Sequence, residues 1–169
     1  GFIGSHVVDR LIEMGHEIIV VDNLSTTKGS LRNIEDGIAK GKIHFIKEDI
    51  INREQISEIF NSNKPDYVFH LAAQASVAVS MKDPELDRKI NVEGSKNIID
   101  AAKSCGAKKI IYSGSGGTAY GDYYLSNGYE KRSRQEMKKL APDETKPIRP
   151  ISPYGKNKAK VLELLKESG

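Results

Sequence analysis

The sequence predicts an α/β fold, a doubly wound parallel sheet with helices on both faces. Two observations carry that prediction. Short, β-branched apolar runs alternate along the chain with segments of helical period. The runs are apolar continuously rather than at every second residue, as strands covered on both faces require. The 169 residues are enough for one such domain with a substantial core and too few for two large ones.

Each element has its own signal. Ile3, Val7, Leu11 and Met14 recur at spacings of four and three, which predicts a first helix with these residues inward. Glu17–Val21 reads as the first strand of the chain, and Ile43–Ile46, after Gly41 and Lys42, as the second. Arg53–Phe60 predicts a helix with Ile56, Ile59 and Phe60 on one side, and Tyr67–Leu71 a third strand. Ile90–Cys105 is a longer helix carrying Val92, Ile98, Ile99 and Ala102, and Lys109–Ser113 is the fourth strand. The last helix opens at Pro153, a residue suited to a first helical position, with Ala159, Leu162 and Leu165 inward. One stretch breaks the rhythm. Residues 122–149 are polar and rich in Lys, Arg, Glu and Pro, which predicts a long insertion or loop. Arg132–Leu140 has the character of a short surface helix within it.

Composition excludes several classes of function. Hydrophobic residues make up 38% and charged residues 29%, an ordinary globular balance. The net charge of +3 comes from bases scattered among acids, with no basic block to attract nucleic acid or an anionic membrane. The lone Cys105 rules out an internal disulfide and a multi-cysteine zinc cluster, and reads as a small buried residue of a helix. No set of His, Cys, Asp and Glu has metal-ligand spacing; His6, His16 and His44 read as surface residues and His70 as a structural strand-end residue. No apolar run is long enough to span a membrane, and no secretory leader opens the chain, so the expected location is cytoplasmic.

The residues that carry chemistry lie at the two ends. Gly1-Phe2-Ile3-Gly4 leads directly into the first helix. A glycine turn there lets a pyrophosphate approach the backbone, where the helix N-terminus offers free N–H groups and partial positive charge. Asp22, eighteen residues after Gly4, stands at the end of the next strand beside Asn23. A carboxylate in that position accepts both ribose hydroxyls of an adenosine and repels a 2′-phosphate, favouring NAD over NADP. Near the C-terminus, Tyr154 and Lys158 lie one helical turn apart on one face. A phenol alone titrates near pH ~10, and a neighbouring cation favours its phenolate, so such a pair can handle protons.

Gly1–His6 followed by Val21–Ser25 resembles the nucleotide-sugar epimerase branch of the extended short-chain dehydrogenase/reductases. Gly1 and Gly4 match the second and third glycines of that family's Gly-x-x-Gly-x-x-Gly turn. The resemblance implies a Rossmann-type domain in which the first strand lies upstream and a C-terminal substrate domain downstream. Residues 1–169 are then expected to be a fragment, the NAD-binding part of a longer protein, inactive by itself. It further implies that Asp49-Ile50 reaches the adenine, that Leu71-Ala72-Ala73-Gln74 lines the cofactor, and that Asn91 in Asn-Val-x-Gly supports the active-site side.

In Ser113–Gly121, Ser or Thr would supply a hydroxyl to the sugar oxygen. The position four before Tyr120 is Gly116, so Ser115 is the first choice and Thr118 the second. The implied chemistry is 4-epimerisation of the UDP-glucose/UDP-galactose type with bound NAD. Tyr154 is the proton carrier, and Lys158 the cation beside it that also reaches the nicotinamide ribose. The implied partners are a UDP-hexose and a second copy of the full-length protein. The Thr-Asp-Glu sequence of the sugar dehydratases is missing from this segment, and an elimination needs such acids. A dehydratase, decarboxylase or reductase on the same scaffold, and a dinucleotide-binding module without turnover, remain the alternatives.

Overall fold

The computed structural model describes residues 1–25, 31–121, 133, 135–136 and 145–168. In chain order, α1 is Phe2–Glu13, β1 Ile18–Val21, α2 Glu35–Ala39, β2 Ile43–Ile46, α3 Arg53–Asn63 and β3 Tyr67–His70. Then come α4 Val77–Lys82, α5 Pro84–Arg88, a π-helical turn Lys89–Gly94, α6 Ser95–Cys105, β4 Lys109–Tyr112, α7 Gly116–Ala119 and α8 Pro153–Glu167. The predicted helix over Arg132–Leu140 falls outside the described residues, apart from Ser133, Gln135 and Glu136.

The four strands form two parallel pairs, β1–β2 and β3–β4. Ile18 pairs with Ile43 and Val21 with Ile46; Tyr67 pairs with Lys109 and His70 with Tyr112. No ladder joins the pairs among the described residues. A doubly wound order gives this arrangement when its first strand stands between them.

The two faces of the sheet have separate cores. Val8, Ile18, Ile34 and Ile43, with Leu11, Ile12, Val20 and Phe45, pack α1 and α2 onto β1–β2. Ile50, Ile56, Phe60, Ile98, Ala101 and Ala102 join α3 to α6, with Val21, Val68 and Ile110 against them. Ile18 and Val20 thus face one core and Val21 the other, as alternation along a strand demands. The α/β, Rossmann-like fold class is as expected from the sequence.

Several local expectations change. In α1, Ile3 and Met14 are exposed, and the buried face runs through Ser5 and Val8 to Leu11 and Ile12. Tyr67 and Phe69 are exposed, so β3 is covered less completely than its apolar run predicted. The long helix begins earlier than Ile90. Asp83 caps Leu86 N at 2.9 Å, Pro84 takes a first-turn position, and α5, the π turn and α6 run on to Gly106, whose φ of 78° closes the helix. In α8 the buried stripe is Tyr154, Gly155, Lys158 and Val161, while Ala159, Leu162 and Leu165 are only half-buried. Counting apolar residues places the stripe wrongly because two of its members are polar.

Candidate active site

Helix α8 starts where local chemistry dictates. Ser152 accepts from Gly155 N at 3.0 Å and Pro153 follows at the first helical position. The Tyr154 amide, left free by its place in the first turn, donates instead to Ser80 Oγ of α4 at 3.2 Å. Ser80 is fully buried, so this bond fixes the rotation of α8 from a distant part of the chain. Tyr154 is 9% and Lys158 5% exposed, side by side on the inward face.

Lys158 does not meet a carboxylate within ion-pair distance among the described residues. Its Nζ lies 4.2 Å from the centroid of the Tyr112 ring, an attraction between a cation and the ring's negative face. Burial pulls its ammonium down to about 8, against an opposing pull from Asp87. Tyr112 carries a buried hydroxyl with no hydrogen-bond partner among the described residues, and burial, with Tyr154 nearby, pushes that phenol well above its usual range. The ring of His70 also lies beside Tyr112, its centroid 5.6 Å away.

His70 is buried and its Nε2 stands 2.7 Å from Ser95 Oγ. Ser95 spends its own proton on Asn91 O at 2.6 Å, so His70 must be the donor and carries its hydrogen on Nε2. Burial first, then the charge of Lys158, lowers His70 to about 4. The ring is neutral at working pH.

The hydroxyl segment meets α8 directly. A Cβ on Gly155 would stand 2.9 Å from Thr118 O, so the glycine after Tyr154 lets α7 come close. Thr118 Oγ1 donates to Ser115 Oγ at 2.7 Å. The two candidate hydroxyls therefore form one unit.

The cofactor-side residues divide into groups. Helix α1 has no side-chain cap, so among the described residues no capping side chain occupies its first-turn N–H groups over Phe2–Gly4. A Cβ on Gly4 would lie 3.7 Å from Leu71 Cδ1, which sets the glycine turn against the end of β3. Gly1 N is 3.9 Å from Asp22 Oδ2, and Asn23 Nδ2 donates to Asp49 Oδ2 at 2.7 Å, so the ends of β1 and β2 meet there. An uncapped helix start, a glycine turn with open space at Gly1 and two acids at adjacent strand ends fit a dinucleotide. The phosphates would lie at Gly1–Gly4 and the adenosine at Asp22, Asn23 and Asp49. Ala72 and Ala73 follow Leu71 on the loop after β3, with Ala72 exposed.

Three expected cofactor residues serve the scaffold as well. The Ile50 side chain sits in the core, and a Cβ on Gly94 would lie 2.6 Å from its Cγ1, so only its backbone is left for a ligand. Asn91 accepts from Gln74 N at 3.0 Å and donates to Gln74 O at 2.9 Å and Asp87 Oδ1 at 3.1 Å. Gln74 Nε2 donates to Asp87 Oδ1 at 2.6 Å and to Ser76 O at 2.9 Å. Both amides thus brace the loop after β3 with every N–H used. Asp87, Tyr112 and Asn157 were not foreseen. Asp87 lies one helical turn before Asn91, a spacing that could have found it; Tyr112 had no local signal.

Among the described residues no group of His, Cys, Asp and Glu could hold a metal ion, and no helix is long and apolar enough to cross a membrane.

The chain is 35% identical over 158 residues to the UDP-glucose 4-epimerase of Mycolicibacterium smegmatis, covering 94% of this chain and 45% of that protein. A putative UDP-glucose 4-epimerase of Methanocaldococcus jannaschii is 37% identical with the same coverage. Among solved structures, the Thermotoga maritima UDP-glucose 4-epimerase with UDP-glucose superposes with a TM-score of 0.82 at 39% identity, over 99% of this chain and 48% of that one. The Thermus thermophilus UDP-glucose 4-epimerase in complex with NAD also gives 0.82, at 35% identity, over 100% of this chain and 48% of that one. The chain spans about half the length of the proteins it matches. The profile of the NAD dependent epimerase/dehydratase family matches residues 1–169, and with that match running from first residue to last, the chain belongs to this NAD-dependent family.

Proposed function

We propose that the whole protein is a nucleotide-sugar 4-epimerase of the UDP-glucose/UDP-galactose type, working as a homodimer with tightly held NAD. The observation that carries the reading is the burial of Tyr154 and Lys158 on one face of α8, with the backbone of Thr118, whose hydroxyl is paired with that of Ser115, packed against Gly155. NAD, when bound, supplies reversible acceptance of a hydride. Tyr154 takes the proton of the sugar 4-hydroxyl and later returns it. Lys158, held over Tyr112, supplies a positive charge on the same helical face. Ser115, joined to the Thr118 hydroxyl at 2.7 Å, orients the sugar oxygen. Buried Val161 and the packed ring of Tyr112 keep water from the inward side of the pair.

The hydroxyl segment supports epimerisation over elimination, because Ser115-Gly116-Gly117-Thr118 offers no acid to a departing hydroxyl. The test is incubation of the intact protein with UDP-galactose and no added reductant. UDP-glucose should form at unchanged mass, and Tyr154→Phe should lose about 100-fold or more of the rate while NAD remains bound. A product of altered mass would move the assignment to a dehydratase or decarboxylase; consumption of added reductant would move it to a reductase.

A further inference from the structure

Beyond the Tyr154–Lys158 pair, one carboxylate among the described residues is completely buried. Asp87 of α5 is 0% exposed. A buried charge is costly unless its oxygens are satisfied. Here three amides supply them. Gln74 Nε2 at 2.6 Å and Asn91 Nδ2 at 3.1 Å reach Oδ1, and Asn157 Nδ2 at 2.7 Å reaches Oδ2. A carboxylate accepts only, so it fixes which way each amide is turned.

The donors come from three separate segments: the loop after β3, the π turn, and α8. Asn157 is the residue immediately before Lys158. None of the three is a cation, and Asp87 has no ion pair among the described residues. Its charge is therefore not cancelled locally and opposes the lowering that burial imposes on Lys158, the residue after Asn157.

We propose that Asp87 is a positioning residue for the Tyr154–Lys158 site: its oxygens lock α8, the π turn and the Gln74 loop together, and its charge holds the Lys158 ammonium. This rests on Lys158 being the working cation of the proposed reaction, but not on turnover for its test. The other titratable groups about Lys158 are Tyr154 on its own helix, Tyr112 at the end of β4 and His70 at the end of β3. Lys82 of α4, Lys89 and Glu93 of the π turn, and Lys96 of α6 are exposed, and Asp100 is paired at the surface.

The experiment is an NMR titration of the intact protein carrying 13C-labelled lysine, with Lys158 assigned by the signal lost in Lys158→Met. In Asp87→Asn, Lys158 should titrate about one pH unit lower than in the wild type. Asp87→Glu, which keeps the charge, should recover most of that shift. If Asp87→Asn does not fold, the exchange Asp87→Asn with Asn157→Asp moves the acid across the same 2.7 Å bond and should titrate within about half a unit of the wild type. The proposal is overturned if folded Asp87→Asn leaves the Lys158 titration unmoved, or if the exchanged pair folds yet titrates a full unit low. Absence of sugar turnover together with the shift in Asp87→Asn would sink the epimerase reading and leave this one standing.

Discussion

Acidification should destabilise this domain through one histidine. His70 is buried, donates from Nε2 to Ser95 Oγ at 2.7 Å, and is lowered from 6.5 to about 4. Between those values the unfolded chain takes up a proton that the folded one refuses. Unfolding then binds protons, so stability falls as pH falls. The contribution is fully present above 6.5 and exhausted below about 4. At about 1.36 kcal/mol per pKa unit, the window removes about 3 kcal/mol, of which about 2 kcal/mol is gone at pH 5. That is a large share of the few kcal/mol by which domains are stable.

The assay is urea unfolding followed by far-UV circular dichroism at pH 7 and pH 5, in the wild type and in His70→Gln. The glutamine keeps a donor near the Nε2 position and cannot titrate. The wild type should lose about 2 kcal/mol more than the variant between the two pH values. Lys158→Met should raise the His70 midpoint while leaving it below 6.5, because burial is the larger cause. Parallel losses in wild type and His70→Gln, or a His70 ring titrating at 6 or above by NMR, would refute the reasoning.

Other perturbations have equally definite outcomes. Asp22→Asn keeps the acceptor that Leu24 N uses at 2.8 Å but removes the charge, so the preference for NAD over NADP should fall about tenfold, read by isothermal titration with both cofactors. Gly121→Ala puts a Cβ onto the Arg149 carbonyl at a φ of 63°, and should cost about 2 kcal/mol or more in chemical denaturation. Ile56, 0% exposed at the centre of the α3–α6 core, should cost about 2–5 kcal/mol on truncation to Ala, seen as a lowered urea midpoint at unchanged slope.

Much of this protein can be read locally. Strands such as Ile43–Ile46 announce themselves by short β-branched runs, and the glycine turn, Asp22, Tyr154 and Lys158 stand out by spacing alone. Such features depend on residues within a turn or two of one another, where periodicity and capping operate. Which face of α8 is buried was not legible, because its inward stripe contains the very Tyr and Lys that polarity assigns to solvent. The π turn at Lys89–Gly94 and the Asp87 clamp were hidden for a different reason. Ser80 meets Tyr154 across 74 positions and Asp87 meets Asn157 across 70, and no local pattern encodes such pairs. The sequence by itself determined that a phenol and an ammonium share one helical face near the C-terminal end. Only the tertiary structure decided that this face turns inward onto Tyr112, because α8 is held there by hydrogen bonds to Ser80 and Asp87, which come from two distant segments of the chain.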